Sequence, residues 1–337
     1  MKILAVKLRA IGDSVIWTAA LQSLRQAYPT AEIHILTYRS NAAVFENCPI
    51  VAQTHFLSST DRFELVRQLW ALRGQHFDWL LGFHATTSLC RWAWLSGARC
   101  TVLHHHSWQK RPRGSLPVPH AGQLENAVLR DHRVLEAMGV KQGPSPTCLW
   151  LSEEERRQAD VRVSQAVASV GGHNDRPRFL FLPGAGHHLR RYPKDLWLPQ
   201  VEALSRQGRH QPVVIADRAL SAEWDLRAEC ARRSLPLLDE GDLRQFIANV
   251  ACGARALAND SGPGHIAVAL GVKTMFAFGP GCVGDWHPYN KREHPVFRIA
   301  VDCRAQGPRD REQFQFCTVD ECGHHRCLRE LPIDVTR

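Results

Sequence analysis

Three short segments carry side chains with chemistry to offer. Near the start, Ile11-Gly12-Asp13-Ser14 follows an apolar run and opens an apolar-periodic stretch. The glycine lets the chain turn tightly. Asp13 has two readings: a short carboxylate suits a helix N-cap, and a carboxylate at a strand's carboxyl end equally serves as a general base toward an incoming hydroxyl. The second segment is Leu182-Pro183-Gly184-Ala185-Gly186-His187-His188, followed by Arg190-Arg191-Tyr192-Pro193-Lys194. Its glycines permit close backbone approach, and its cations suit phosphate. The third, Asn259-Asp260-Ser261-Gly262-Pro263-Gly264-His265, runs into small apolar residues up to Gly271. Free N–H groups at such a helix start, with the macrodipole behind them, make a site for a diphosphate. Ser261 is placed to cap that helix and His265 to donate to a phosphate oxygen.

The elements that position these segments follow from hydrophobic rhythm. Apolar runs at 3–7, 32–37, 79–83 and 99–104 read as strands, with helices such as 14–27 and 61–72 between them. A second series begins at 178–182 and continues through 212–216, 255–259 and 274–278. This alternation predicts an α/β chain with parallel sheets in two Rossmann-like halves. Between the halves, Ser152-Glu153-Glu154-Glu155 reads as a capped helix start and Gly171-Gly172-His173-Asn174-Asp175 as a turn-rich break. The boundary is therefore expected at 172/173, giving domains 1–172 and 173–337.

Composition narrows the partners. The 337 residues hold 42 Lys plus Arg against 33 Asp plus Glu, a formal charge of +9 with 18 His besides. Such an excess favours anionic partners: nucleotide, nucleic acid or an anionic membrane surface. The basic residues are scattered without an aromatic stacking platform, which argues against nucleic acid. No G-x-G-x-x-G follows the first strand, which disfavours a dehydrogenase. Eleven Cys is a high count, yet Lys2 and Lys7 leave the amino terminus unlike a signal peptide, so free thiols in a reducing cytosol are expected. No stretch approaches the roughly 18 apolar residues of a spanning helix, so any membrane contact is peripheral. The segment His104-His105-His106 through Lys110-Arg111-Pro112-Arg113-Gly114 reads as an exposed basic loop after a strand's carboxyl end.

Taken together, the strand-Ile11-Gly12-Asp13 element, Pro183-Gly184-Ala185-Gly186 with Arg190-Arg191-Tyr192-Pro193, and Asn259–His265 with Phe278-Gly279-Pro280 resemble glycosyltransferase family 9, the ADP-heptose:lipopolysaccharide heptosyltransferases. The segments 132–140 and Asp239-Glu240-Gly241-Asp242-Leu243 extend the resemblance over nearly the whole chain. It implies a GT-B architecture with two Rossmann-like domains facing a central cleft, the acceptor on the first and the nucleotide sugar on the second. It further implies inversion at the anomeric carbon without a metal, and no Asp-x-Asp pair occurs in the sequence to hold one on a diphosphate.

The implied site has Asp13 as catalytic base. Gly184, Ala185, Arg190, Arg191, Lys194, Asp260, Ser261, Gly262, Gly264 and His265 are expected on the donor. Gly12, Arg62, Arg67, Lys110, Arg111 and Arg113 are expected on an anionic, lipid-linked saccharide acceptor at the inner face of the cytoplasmic membrane. No cofactor is expected beyond the ADP-sugar substrate. The tail cysteines Cys303, Cys317, Cys322 and Cys327, with His324 and His325 nearby, are a candidate structural metal set. Trp17 and Ala19 stand where the family commonly has threonine and proline, and Asp217-Arg218 where it has a glycine pair. A different sugar nucleotide, a protein acceptor or a non-catalytic nucleotide-binding protein on the same fold are the alternative readings.

Overall fold

The computed structural model describes residues 1–106, 109, 114–239, 241–290, 292–303, 317 and 321–335. They form two compact units, Met1–Trp150 and Leu151–Arg337. The reading above placed the boundary some twenty residues later. The helix Glu153–Ala168 belongs with the second unit, because its Glu155 bonds Arg244 and its Arg162 bonds Asn249. Its start carries a full capping box, with Ser152 and Glu155 each accepting from the other's backbone N–H.

The first unit is built on a six-stranded parallel sheet: β1 (Lys2–Val6), β2 (Glu32–Tyr38), β3 (Gln53–Leu57), β4 (Trp79–Gly82), β5 (Cys100–Leu103) and β6 (Ser115–Leu116), ordered β3-β2-β1-β4-β5-β6. The second has β7 (Arg178–Leu182), β8 (Gln211–Ile215), β9 (Leu237–Leu238), β10 (Arg255–Asn259), β11 (Lys273–Ala277) and β12 (Val296–Phe297), ordered β12-β11-β10-β7-β8-β9, also parallel. Central strands β1, β7 and β10 are apolar on both faces, as parallel strands covered by helices must be. In both sheets the strand order reverses beside the first strand of the unit, and the loops at the carboxyl ends there are where open sheets of this kind bind ligands.

Helix Ile11–Ala27 begins three residues earlier than its apolar periodicity indicated. Ala10 is its N-cap, so Asp13 lies inside the first turn and caps nothing. The capping reading of Asp13 is thereby overturned, and its charge is favoured there by the helix dipole. Trp17 is fully buried on that helix between Phe45 and Phe83, each 5.5 Å away, so its bulk fills the core.

One buried pair locks helix Ala127–Glu136 onto the sheet. Lys7, directly after β1, donates to Asp131, and both side chains are almost wholly out of solvent. Burial opposes both charges, lowering the Lys7 ammonium and raising the Asp131 carboxyl from their ordinary values. Removing one partner strands the other, so Asp131→Ala is expected to cost about 3–5 kcal/mol. Lys7→Met with Asp131→Leu should restore most of that loss. Chemical denaturation of the three proteins checks both values.

Candidate active site

The loops after β1, β4 and β5 bring charged and imidazole groups around Asp13. From β1 come Lys7 and Arg9; from β4, His84; from β5, His104 and His106; from helix Ala127–Glu136, Arg130 and Asp131. His84 Nδ1 stands 3.6 Å from Asp13 Oδ1, beyond a hydrogen bond, and neither atom has another partner. The other ring nitrogen of His84 lies 2.8 Å from Nε2 of His106, and its carbonyl accepts from Arg9 Nε at 3.2 Å. His84 adopts φ +49°, an uncommon left-handed conformation for a residue with a side chain, which turns the imidazole toward this group. Both ring nitrogens of buried His104 are also without partners. Buried polar atoms are nearly always satisfied in native proteins, so this collection marks a place where a polar ligand belongs.

Electrostatics set the protonation states. Burial works to raise the Asp13 carboxyl, but His84, Lys7 and Arg130 outweigh it and bring it down to about 2. Burial takes His84 down to about 3 despite the Asp13 carboxylate, with Arg130 and Arg9 adding to the effect. Burial likewise lowers His104 to about 3 and His106 to about 4. At neutral pH the group is thus an ionised carboxylate among neutral imidazoles, with the Arg9 and Arg130 guanidiniums and the buried Lys7–Asp131 pair around it. Gly12 is Asp13's neighbour in the same helical turn. Arg62 and Arg67 stand exposed on helix Arg62–Leu72. Lys110, Arg111 and Arg113 lie outside the described residues.

In the second unit, side chains from β10 draw the motif loops together. Asn259 accepts from the Tyr192 N–H at 2.9 Å and donates to the Pro183 carbonyl at 2.8 Å. Ser261 occupies the N-cap of helix Gly262–Ala269, but its hydroxyl donates to the Gly184 carbonyl at 2.9 Å and makes no cap bond. The expected cap is thus replaced by a tie to the glycine loop, which leaves the helix start without a side-chain acceptor. Gly184 lies against Asp217 and Pro263, and Ala185 offers its carbonyl to Arg191 at 3.3 Å. Gly264 serves packing: a Cβ there would come within 2.4 Å of the Phe276 ring. His265 is buried on the same helix, 5.9 Å from that ring.

The three cations of the second motif diverge. Arg191 pairs with Glu223 at 2.6 Å, and Lys194 bonds the Trp224 carbonyl and Glu229. Arg190 lies 3.7 Å from Asp260 Oδ2, and of the other two only Arg191 also reaches the glycine loop, at the Ala185 carbonyl. That carboxylate oxygen is fully buried without a hydrogen bond, and burial raises Asp260 to about 6 with Arg190 opposing the shift. Backbone at Gly281 packs directly on it, where a Cβ would fall 1.8 Å from Oδ2.

None of the eleven cysteines is joined in a disulfide. Cys303, Cys317, Cys322 and Cys327 line one cavity of about 20 Å3 together with His324 and His325. Even so, among the described residues no three His, Cys, Asp or Glu side chains are grouped so as to hold a metal ion. The tail thiols share a cavity without forming a ligand set, and no step is derived through a metal there.

The groups around Asp13 escaped the sequence reading because they come from four separate elements. The signals that existed were the lysine ending β1 and the histidine run after β5.

Comparison with known proteins supplies the family. Residues 66–311 match the model of glycosyltransferase family 9 (heptosyltransferase), well over half of the chain. No curated protein matches significantly. Among solved structures, the family 9 glycosyl transferase from Veillonella parvula DSM 2008 superposes with a TM-score of 0.74 at 19% identity, covering 88% of this chain and 85% of that one. The E. coli heptosyltransferase WaaC with ADP gives 0.66 at 15%, covering 88% and 92%. The iron-containing dodecameric glycosyltransferase TibC from enterotoxigenic E. coli H10407 gives 0.52 at 10%, covering 98% and 72%. The two parallel-sheet units are those of the GT-B heptosyltransferase structures, and the chain is a glycosyltransferase belonging to family 9.

Proposed function

We propose that this glycosyltransferase transfers a heptose from ADP-heptose, with inversion, to an anionic inner-core sugar of lipopolysaccharide. The observation that carries the reading is Asp13, an ionised carboxylate at the carboxyl end of β1 with an unpartnered oxygen and a cationic surround. Family membership and the fold shared with a heptosyltransferase solved with ADP support the donor assignment.

In the reaction the acceptor hydroxyl oxygen forms a bond to the anomeric carbon while the bond from that carbon to the ADP oxygen breaks. Asp13 takes the hydroxyl proton as the attack proceeds. The electron pair leaves with ADP, and its charge is met by Arg190 and the amino end of helix Gly262–Ala269, donors already fixed in place. Arg9 and Arg130 favour an acceptor that carries carboxylate or phosphate beside the reacting hydroxyl. Among the described residues no helix is long and apolar enough to cross a membrane, so a lipid-linked acceptor is met at the membrane surface.

Turnover of a panel of sugar nucleotides, scored by release of nucleoside diphosphate with a lipopolysaccharide-core acceptor, tests the assignment. ADP-heptose should be preferred, and a preference for another donor would overturn it. Asp13→Asn should lower kcat by roughly 10²–10⁴-fold while ADP binds as before. Because the surrounding charges bring Asp13 down to about 2, the variant should also lose stability at neutral pH, which thermal melts separate from the loss of kcat. Near-parental turnover would remove Asp13 from the chemistry.

Asp260 gives a pH-dependent expectation. Its folded value is raised above the ordinary carboxylate value, so stability is lost as pH rises from about 4 toward 6. Asp260→Asn should therefore raise the thermal midpoint at pH 7.5 and leave it nearly unchanged at pH 4.5. In the parent, affinity for an ADP-sugar should tighten as pH falls through about 6 and the negative charge beside Arg190 is neutralised. Titration calorimetry at several pH values measures this, and the variant should show a flat profile.

A further inference from the structure

Helix Arg62–Leu72 has an outer face that its fold does not require. Leu65, Leu69 and Leu72 form its buried stripe and complete its packing against the first sheet. On the opposite side, Phe63, Arg67 and Trp70 follow one another at spacings of four and three residues, with Phe63 67% and Trp70 60% exposed. The turn Ala93–Ser96 packs beside this helix and adds Trp94, 62% exposed. Arg73 joins the two pieces: its stem covers Gly97, which ends that turn, and its guanidinium lies 5.6 Å from the Trp70 ring. Arg62 holds the same relation to Phe63 at 5.0 Å. Three of the four large aromatic side chains exposed among the described residues thus share one face.

The charges on that face are unbalanced. Arg62, Arg67 and Arg73 make no ion pair among the described residues. The nearby acids are engaged by backbone donors: Asp61 accepts from the Phe63 N–H, and Glu64, within the field of Arg67, accepts from the Ser58 and Ser59 N–H groups. Exposed aromatic rings interleaved with unpaired arginines are suited to the boundary between water and an anionic lipid surface. There the rings sit at headgroup depth and the guanidiniums meet phosphate. A second copy of the same face would place arginine against arginine, which disfavours self-association through it.

We propose that the face formed by Phe63, Trp70 and Trp94 with Arg62, Arg67 and Arg73 docks the enzyme on an anionic membrane surface. This deepens the lipid-linked acceptor reading, yet vesicle binding is measured without any transferase assay, so failure of either is distinguishable from failure of the other. The full chain is floated with vesicles of phosphatidylcholine alone and with vesicles in which phosphatidylglycerol is mixed in. The parent should bind the anionic vesicles and leave the neutral ones.

Trp70→Ser with Trp94→Ser should weaken that binding at least about tenfold, with thermal midpoint and ADP affinity unchanged. Trp70→Phe with Trp94→Phe should keep most of it. Arg73→Gln should cost about fivefold at low salt and less as salt rises. The proposal fails if the parent ignores both vesicles, binds both equally, or binds as before in the double serine variant. It also fails if the serine variant abolishes a self-association seen by sedimentation while vesicle binding is absent, since the face would then be a protein interface.

Discussion

Burying Lys7 and Asp131 together fixes how helix Ala127–Glu136 meets the first sheet, and through Lys7 it fixes the field that Asp13 feels. A hydrophobic pair of similar volume would fill the same space at no loss of stability, and often with a gain. What such a pair would not supply is a cation directly behind a carboxylate that must stay ionised while mostly out of water. Arg130 is the residue next to Asp131, so one helix delivers both the anchor and a second cation to the same pocket. His84 completes it from β4 in a conformation that few residues with a side chain adopt.

The second unit uses the same parallel topology to a different end. Asn259 and Ser261, at the carboxyl end of β10, hold the glycine loop and the Arg190–Tyr192 turn by direct bonds to their backbones. The loop shape is thereby set by the protein before any nucleotide arrives, as donors that act without reorganising require. Where the first unit surrounds its carboxylate with cations, the second buries Asp260 with Arg190 opposed by the Asp285 carboxylate. One acid is held charged and the other near the midpoint of its titration. The contrast follows from the charges set against burial: His84, Lys7 and Arg130 around Asp13, but Arg190 opposed by Asp285 around Asp260.

Much of the frame was legible because β1, β4, β7, β8 and β10 are short apolar runs between amphipathic stretches, which is what buried parallel strands look like. The edge strands were not: β3 is half polar, and β6, β9 and β12 have two residues each, too few to show a period. Asp13 was visible as a carboxylate after a strand, but whether it capped the helix depended on where the helix began, and that was settled by Ala10. Arg130 and Asp131 could not be found, since charged residues in a helix normally mark its solvent side. Gly264 was visible as a glycine, while its reason, the Phe276 ring, lies on another strand. Arg191 and Lys194 read as phosphate ligands only until Glu223 and Glu229 were placed beside them.

A carboxylate brought down to about 2 is a weak base in the resting enzyme, which bears on how the proposed reaction would run. An alcohol gives up its proton to so weak an acceptor only when its oxygen is already bonding to the anomeric carbon and has grown acidic. In the proposed reaction proton transfer would then follow bond formation, and before that point the carboxylate would act by its charge. Arg130 both holds Asp13 down and, with Arg9, would hold an anionic acceptor beside it. Removing Arg130 to make a stronger base would leave that acceptor less firmly bound, and removing Lys7 would strand Asp131. On the proposed function, basicity would thus be limited by acceptor recognition through Arg130 and by folding through Lys7.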